Sequence, residues 1–389
     1  MKRLCKLAVS VIAAVLFAGC ETVPQYHKAE FKFDFPVPAN IRPILYQGAE
    51  FKGKPTEVFA WVGVPENCDG KVPGIVLIHG GGGTAFLQWV EQWTKRGYAA
   101  IAIDTVGCRP LRTWEGGKGV RERLPNGGPD YPRHKRDVFT PGDAWTTQAV
   151  EAIRRGHTIL RSLPEVDPEK TAVYGISWGG YLTCFAAAKD PRFKAAVSVY
   201  GCGFLKESPR TVAKVVKKEW YDLYDPALVL PNVSCPILFI NQPVDPDYMW
   251  DSWCKSTFLP KQPYRSMPGL IGHSHKRGLR IEGEIFIDSI LKNAVPLPKL
   301  SLAQRSNNTV SATYGAAVKP ITGELWWTAD GKATPAPKRK WNQIPATVKN
   351  HTVSAELPAE AKDWFINIKD PRGVTVTALR DSQKCEIEK

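Results

Sequence analysis

A serine flanked by glycines, in the segment Gly175-Ile176-Ser177-Trp178-Gly179, constrains this chain more than any other stretch. The run before it is β-branched and aromatic, and the run after it is typical of a helix. A sharp strand-to-helix turn places its serine in a strained backbone, and the flanking glycines remove side chains that would clash there. The segment therefore predicts that Ser177 is presented above a sheet as a nucleophile. The backbone N–H of Trp178, the next residue, is expected to bind an oxyanion.

A nucleophilic serine on this kind of turn requires an Asp or Glu and then a histidine further along the chain. Residues 235–241 form a short apolar run bounded by turn residues, which predicts a buried strand. Asp245 follows that strand directly and is the expected acid. Asp247 and Asp251 are close rivals, but an acid nearer the strand end is held more firmly.

Three histidines follow the serine: His273, His275 and His351. His351 lies in a distal region of different character, so the base is expected to be His273 or His275. We favour His273 because the preceding Gly272 lets the ring emerge from a tight turn. His275 remains the alternative base.

Glycines also mark a second functional loop, upstream of the serine. Residues 72–78 predict a buried strand that runs into the glycine-rich segment 79–84. Glycines let backbone N–H groups approach a substrate oxygen closely, so we expect an oxyanion hole formed by Gly81 and Trp178. A phosphate-binding P-loop would end in Gly-Lys-Ser/Thr, whereas this run ends Gly83-Thr84-Ala85.

Strands alternate with helices over residues 21–300, which predicts an α/β domain with a doubly wound, mostly parallel sheet. The irregular stretch 107–141 follows the expected carboxyl end of a strand, where such sheets bind ligands, so we interpret it as a wall of the substrate pocket. His134 and the arginines of this stretch are candidate substrate contacts. Residues 301–389 show period-two alternation without helical periodicity, which predicts a small C-terminal β-sandwich domain.

The first twenty residues have the pattern of an export signal. A basic start is followed by an apolar segment too short to cross a bilayer, and it ends at Phe17-Ala18-Gly19-Cys20. Small residues before a cysteine indicate a lipoprotein-type signal peptide, with Cys20 as the lipidated first residue. The expected location is the bacterial cell envelope, reached by export and held through the lipid anchor. An ordinary signal peptide cleaved nearby is the alternative.

Charge and cysteine content narrow the classes of partner. The formal net charge is +14, but the basic residues are spread along the chain and match no nucleic-acid-binding motif, so no nucleic-acid partner is expected. The nine cysteines show no C-x-x-C spacing. We therefore expect neither a metal site nor a cofactor.

Taken together, the motifs resemble bacterial α/β-hydrolases of the acetyl xylan esterase and dienelactone hydrolase type. The resemblance covers roughly residues 40–300 and is carried by the serine turn and by five other segments: 79–85, 93–100, Asp104, 163–167 and 200–203. It implies a Ser–Asp–His hydrolase, and the positions of the nucleophile and the acid in that family favour Ser177 and Asp245.

The expected function is a serine carboxylesterase that hydrolyses acyl esters on small molecules or polysaccharide, with acetyl groups on polysaccharide as one substrate class. A serine exopeptidase of the prolyl oligopeptidase type is the nearest alternative. A non-catalytic carbohydrate-binding protein is a third. Because the candidate catalytic residues all precede residue 276, a chain ending near Leu300 is expected to keep its reactivity toward small esters.

Overall fold

The computed structural model describes residues 22–112, 120–131, 141–208 and 218–381. The first part of the chain contributes eleven strands to this description. In chain order they are β1 (Tyr26–Lys28), β2 (Ile41–Gln47), β3 (Glu57–Gly63), β4 (Val72–Ile78), β5 (Ala99–Ile103), β6 (Cys108–Pro110), β7 (Arg121–Arg123), β8 (Val166–Ile176), β9 (Ala195–Val199), β10 (Ile237–Ile240) and β11 (Pro263–Ser266).

The described helices all lie among or just after these strands. They are α1 (Leu87–Lys95), α2 (Trp145–Ser162), α3 (Trp178–Lys189), α4 (Lys218–Tyr224), α5 (Trp250–Ser256), α6 (His275–Gly278) and α7 (Ile281–Leu291). Four short 3₁₀ turns span Leu205–Glu207, Pro226–Leu228, Leu230–Asn232 and Ala336–Lys338. None of the helices in the described ranges has both the length and the apolar character required to cross a bilayer.

A nine-stranded sheet in the order β1-β2-β3-β5-β4-β8-β9-β10-β11 forms the centre of the first domain. The six strands from β5 to β11 in this order run parallel, while β1, β2 and β3 pair antiparallel at one edge. The central strands are apolar and buried along their whole length because helices cover the sheet. The predicted doubly wound, mostly parallel sheet is confirmed.

Helices pack on both faces of this sheet. In α2, residues spaced at three or four positions form one buried stripe: Trp145, Ala149, Ile153, Gly156 and Leu160. Arg96, the residue after α1, forms ion pairs with Glu284 and Asp288 of α7 and so joins the two helices. The chain passes from β4 to β5 on one side and then returns to β8 on the other, so the strand order reverses between β4 and β8. Open α/β sheets bind ligands at the carboxyl ends that flank such a reversal.

Eight further strands form the C-terminal sheet: β12 (Lys299–Leu300), β13 (Gln304–Ser306), β14 (Thr309–Gly315), β15 (Thr322–Thr328), β16 (Asn342–Lys349), β17 (Thr352–Glu356), β18 (Asp363–Lys369) and β19 (Thr375–Ala378). All their pairings are antiparallel. Strand β16 turns a corner, since residues 342–346 pair with β15 and residues 347–349 pair with β17. A bridge between Ala303 and Arg380 brings the two ends of the sheet together. The predicted C-terminal β-sandwich is thus confirmed as a nearly closed antiparallel structure.

The stretch 107–141 is more regular than the sequence indicated. Strands β6 and β7 pair antiparallel in its described part, with Cys108 opposite Arg123. Their short, arginine-rich sequences gave no period-two signal, so sequence reasoning treated them as loop.

Candidate active site

Ser177 lies at the turn between β8 and α3, with φ 60° and ψ −121°. Its N–H donates to the carbonyl oxygen of Val199, at 2.7 Å. A methyl group added at Gly179 would lie 2.1 Å from the carbonyl oxygen of Ile78, and one added at Gly175 would meet the carbonyl of Gly179 at the same distance. The glycines are therefore needed for close backbone contact, as the sequence predicted, and the turn keeps Ser177 in the left-handed region that costs a non-glycine residue about 1–3 kcal/mol.

The structure brings Ser177, His273 and Asp245 into one hydrogen-bonded chain. The Nε2 atom of His273 lies 2.8 Å from the Ser177 hydroxyl, and its Nδ1 atom lies 2.7 Å from a carboxylate oxygen of Asp245. The His273 side chain is 20% exposed, whereas Asp245 is fully buried. These contacts join three loops that follow the carboxyl ends of β8, β10 and β11.

The second carboxylate oxygen of Asp245 holds its own loop. It accepts hydrogen bonds from the backbone N–H groups of Asp247, at 3.0 Å, and Tyr248, at 2.8 Å. One oxygen is thus used by the turn and the other faces the imidazole. This division fixes the carboxylate orientation and favours the histidine tautomer that carries its proton on Nδ1.

The backbone around His273 is also tightly held. Gly272 has φ 68°, and its N–H donates to the side-chain oxygen of Gln242 at 2.9 Å. Tyr200 stacks on the imidazole, with ring centroids 4.5 Å apart, and its hydroxyl donates to the Gly272 carbonyl at 2.7 Å. Burial, followed by the Asp245 charge, raises the pKa of Tyr200, so its hydroxyl remains a donor. The sequence did not predict a role for Tyr200. Its positive φ of 52° is unusual for a tyrosine and cannot be recognised from the sequence.

The rival acids and bases have other partners. Asp251 is paired through two hydrogen bonds, at 3.0 and 2.7 Å, with Arg339, which lies in the connection between β15 and β16. His351 has φ 57° in the turn between β16 and β17, where its ring lies 5.6 Å from that of Tyr314. His275 is buried against Phe86, and its Nε2 atom accepts the N–H of Gly80 at 2.8 Å, so this atom is already occupied.

The glycine-rich loop follows β4 and turns back on itself. The N–H of Gly83 donates to the carbonyl of Gly80 at 3.0 Å, and Gly82 has φ 74°. A methyl group added at Gly81 would lie 2.8 Å from the Trp178 indole, so the loop passes directly over the start of α3. The N–H of Trp178 is in the first turn of that helix, where N–H groups have no acceptor within the helix. The loop and the helix N-terminus thus adjoin Ser177 from two sides.

Buried polar contacts anchor this loop. The carbonyl of Gly80 accepts from Nδ1 of His79 at 2.8 Å, while Nε2 of His79 accepts the N–H of Thr105 at 3.1 Å. Arg121 of β7 donates to the carbonyl of Gly83 at 2.6 Å. Arg121 is one of the arginines of 107–141 that were candidate substrate contacts, and the structure shows it bound to the glycine loop. His79 was not assigned an anchoring role from the sequence, because its partner Thr105 is distant in the chain.

Aromatic rings line the neighbourhood of the serine turn. Trp178 packs edge-to-face on Trp145, with centroids 5.3 Å apart, and lies 6.3 Å from Tyr131. Tyr131 belongs to the stretch interpreted as a pocket wall, and the structure places it beside Gly81. His134 lies outside the described residues, as does Cys20.

The arrangement has the parts needed for acyl transfer: a hydroxyl, an imidazole that can remove its proton, a buried carboxylate that orients the imidazole, and N–H groups near the serine. Across the part of the chain that the structure describes, no group of three or more His, Cys, Asp or Glu side chains is arranged to hold a metal ion.

Comparison with known proteins gives a family match for part of the chain. Residues 58–246 match the dienelactone hydrolase family. A segment of 155 residues is 29% identical to the probable dipeptidyl-peptidase 5 of Aspergillus clavatus and covers 38% of this chain and 19% of that protein. A segment of 129 residues is 27% identical to the quorum-quenching protein AidA of Acinetobacter baumannii and covers 32% of this chain and 34% of that protein. The similarity therefore spans only a fifth to a third of these curated relatives.

A solved structure shows the same fold over a larger part of the chain. Acetyl xylan esterase 1 from Thermoanaerobacterium sp. JW/SL YS485 superposes with a TM-score of 0.51 at 17% identity, covering 70% of this chain and 88% of that one. Such low identity is evidence for the fold alone. Residues 58–246 are thus the part of the chain that matches the dienelactone hydrolase family, and the chain has the α/β-hydrolase fold.

Proposed function

We propose that this protein is a serine carboxylesterase that hydrolyses acyl esters, with acetyl esters on polysaccharide as the expected natural substrate class. The observation that carries the proposal is the continuous hydrogen-bonded chain from Asp245 through His273 to Ser177. Three residues from three separate loops have the order and contacts that acyl transfer to serine requires.

In the proposed mechanism, the Ser177 hydroxyl attacks the ester carbonyl and forms a tetrahedral intermediate. His273 accepts the hydroxyl proton on Nε2 and then donates it to the leaving alcohol. Asp245 keeps the other ring proton on Nδ1 and stabilises the imidazolium. A water molecule then attacks the acyl-enzyme, with His273 again acting first as base and then as acid.

The negative charge on the carbonyl oxygen needs donors that are already in place. The N–H groups of Gly81 and Trp178 are proposed to supply them, because the glycine loop and the first turn of α3 meet beside Ser177. The positive end of the helix dipole lies at the same point and favours the oxyanion further.

Support for an acyl ester as substrate comes from the surroundings of Ser177. The rings of Tyr131, Trp145 and Trp178 form an apolar wall beside the glycine loop. An uncharged acyl group can pack against such a wall without the desolvation cost that a charged group would carry. The solved structure with the same fold is an acetyl xylan esterase, which makes acetyl esters of polysaccharide a natural first test.

The second candidate function is a serine exopeptidase of the prolyl oligopeptidase type. It is favoured by the relative named as a probable dipeptidyl-peptidase, which aligns over 38% of this chain. The same serine chemistry would serve both functions, and the difference lies in the leaving group. The third possibility, a carbohydrate-binding protein without catalysis, would require a non-productive arrangement of Ser177, whereas its hydroxyl is hydrogen-bonded to His273.

One comparison of substrates tests these alternatives. Purified protein is assayed with a series of p-nitrophenyl esters from acetyl to octanoyl, with acetylated xylan, and with aminoacyl-proline and dipeptidyl p-nitroanilides. The proposal predicts release from short acyl esters and from acetylated xylan that Ser177→Ala abolishes. Turnover confined to the peptide substrates would favour the exopeptidase, and no turnover with any of them would favour the binding protein.

We also propose that the protein is exported and anchored in the bacterial envelope through a lipid on Cys20. The support is the basic, apolar and small-residue pattern of residues 1–20. Cys20→Ala is expected to abolish metabolic labelling with an alkyne-tagged fatty acid and to release the protein from the membrane fraction. Persistent labelling of that variant would disprove the anchor.

A further inference from the structure

The second histidine of the His273-Ser274-His275 segment has a buried position beside the glycine loop. His275 begins α6 and is 6% exposed. Its ring packs on Phe86, with centroids 5.1 Å apart, and on Trp89, at 6.0 Å. These contacts fix the plane of the imidazole.

The hydrogen bond of His275 defines its protonation state. The N–H of Gly80 donates to Nε2 at 2.8 Å, and only a ring nitrogen with a free lone pair can accept it. His275 is therefore neutral in this arrangement, with its proton on Nδ1. It cannot serve as base for Ser177 at the same time. Nε2 is the only ring nitrogen without a proton, and it already accepts the hydrogen bond from Gly80.

The backbone of Gly80 lies between His275 and Ser177. A methyl group added at Gly80 would lie 2.7 Å from the Ser177 β-carbon and 3.0 Å from Nε2 of His275. A methyl group added at Gly83 would likewise meet Nε2 at 2.8 Å. The imidazole thus touches both ends of the turn that contains Gly81 and Gly82.

We infer that His275 is a positioning residue for the oxyanion hole: its neutral imidazole holds the Gly80–Gly83 turn so that the Gly81 N–H faces the carbonyl oxygen of the ester that Ser177 attacks. Gly80 donates its own N–H to His275, so that group is withdrawn from the substrate side and the peptide plane is fixed. The next N–H along the chain, that of Gly81, is then held close to Trp178. Glycines have no side chain to hold a backbone in place, so an external anchor is needed.

This inference rests on the proposed function, because it assigns a role within the same serine chemistry. It differs from the prediction that His275 is an alternative base, since the ring acts on the loop and never on the Ser177 proton. The two histidines of the segment therefore have separate roles: His273 accepts the proton of Ser177, and His275 holds the glycine loop in position.

Two variants of His275 distinguish the effect of its hydrogen bond with Gly80 from the effect of its packing against Phe86 and Trp89. His275→Leu keeps an apolar side chain against Phe86 and Trp89 but leaves the Gly80 N–H without its acceptor. His275→Gln places a side-chain oxygen near the former Nε2 position and can restore the acceptor. Phe86→Leu is the matched control, because it loosens the packing around His275 and leaves the hydrogen bond in place.

The kinetic readout uses a p-nitrophenyl ester. We expect His275→Leu to lower kcat about tenfold to a hundredfold with KM changed less than about threefold, because loss of one oxyanion donor costs up to 10²–10³ in rate. His275→Gln should recover most of the loss, and Phe86→Leu should affect thermal stability more than kcat. Equal kcat values for the leucine variant and the wild type, or no rescue by glutamine, would overturn the inference.

A second readout does not depend on ester hydrolysis. Amide hydrogen exchange of the peptide that contains residues 79–84 is measured in the Ser177→Ala background, with and without the His275 substitutions. Faster exchange in the leucine variant, and near-normal exchange in the glutamine variant, supports the anchoring role even if the natural substrate is not an ester. Unchanged exchange in the leucine variant rejects it, whereas failure of the proposed function would appear only as absent turnover in the wild type.

Discussion

The side-chain amide of Asn367 in the C-terminal sheet donates a hydrogen bond to the carbonyl oxygen of Met267, at 2.9 Å. The N–H of Met267 in turn donates to the hydroxyl of Thr377, at 2.7 Å, and that hydroxyl donates to Asn367 at 2.7 Å. Met267 follows β11 directly and begins the loop that ends at His273. The C-terminal sheet therefore holds both backbone groups at the start of the loop that carries the proposed base.

These contacts argue against the expectation that a chain ending near Leu300 keeps its reactivity. Asn367→Leu should destabilise the protein by about 1–3 kcal/mol, because it leaves buried groups of Met267 and Thr377 unsatisfied. It should also lower kcat toward a small ester several-fold, since the His273 loop loses its support. Asn342→Leu, at an exposed position on β16, is the control. Thermal melts and ester kinetics give both readouts, and unchanged kcat for Asn367→Leu would show that the loop holds its own position.

Ser177→Ala tests the nucleophile. We expect kcat to fall on the order of 10³-fold or more, because the hydroxyl that forms the acyl-enzyme is absent. The melting temperature should change little, since alanine has the same backbone preferences. Ser177→Gly is a useful companion: it should be equally inactive but more stable, because glycine tolerates φ 60° without strain. Near-normal turnover by either variant would contradict the assignment.

Asp245→Asn tests the orientation of the imidazole. The asparagine oxygen can still accept the N–H groups of Asp247 and Tyr248, so the turn should survive. Its amide then faces Nδ1 of His273 as a donor and favours the tautomer with a proton on Nε2, which cannot accept the Ser177 proton. We expect a loss in kcat on the order of 10³–10⁴-fold near pH 7. Circular dichroism verifies the fold, and a loss below tenfold would mean that another group orients His273.

Sequence reasoning was most successful where local pattern and function coincide. The apolar runs of β4 and β10 identified buried strands, and the glycines around Ser177 identified the turn, because each signal lies within ten residues. The structure also places Ser177, Asp245 and His273 together, although their roles remain predictions.

What the sequence could not provide depends on contacts between distant residues. The bond from Gly80 to His275 joins positions 195 residues apart, and Asn367 reaches Met267 across 100 residues. No periodicity or spacing encodes such pairs. The strands β6 and β7 were missed for a related reason, since each is three residues long and, among the residues that the structure describes, each pairs with no strand but the other.

Comparing Gly80→Ala with Gly82→Ala distinguishes two reasons for a glycine in this loop. Gly80 is needed for close contact with neighbouring atoms, whereas Gly82 is needed for its backbone conformation. The methyl group at Gly80 would lie 2.6 Å from the Ile176 carbonyl oxygen, so the backbone must shift beside Ser177. At Gly82 nothing lies within 4 Å, but φ is 74°, which costs about 1–2 kcal/mol for an alanine. We expect Gly80→Ala to lose about a hundredfold in kcat, as misplacement near 1 Å can cause. Gly82→Ala should mainly lower the melting temperature. Kinetics and melts of both variants check this, and equal losses in kcat would contradict it.

His157 gives a prediction for the pH dependence of stability. Burial lowers its pKa from 6.5 to about 4, although the adjoining Asp190 carboxylate, at 2.8 Å, acts in the opposite direction. Between these two pH values the unfolded chain takes up a proton that the folded protein does not, so the free energy of unfolding decreases as the pH falls from 6.5 toward 4. His157→Asn cannot titrate and should show a shallower decrease, measured as the midpoint of urea unfolding at each pH. His27→Asn, at an exposed position on β1, should follow the wild type. Parallel curves for His157→Asn and the wild type would mean that His157 takes up its proton equally in both states.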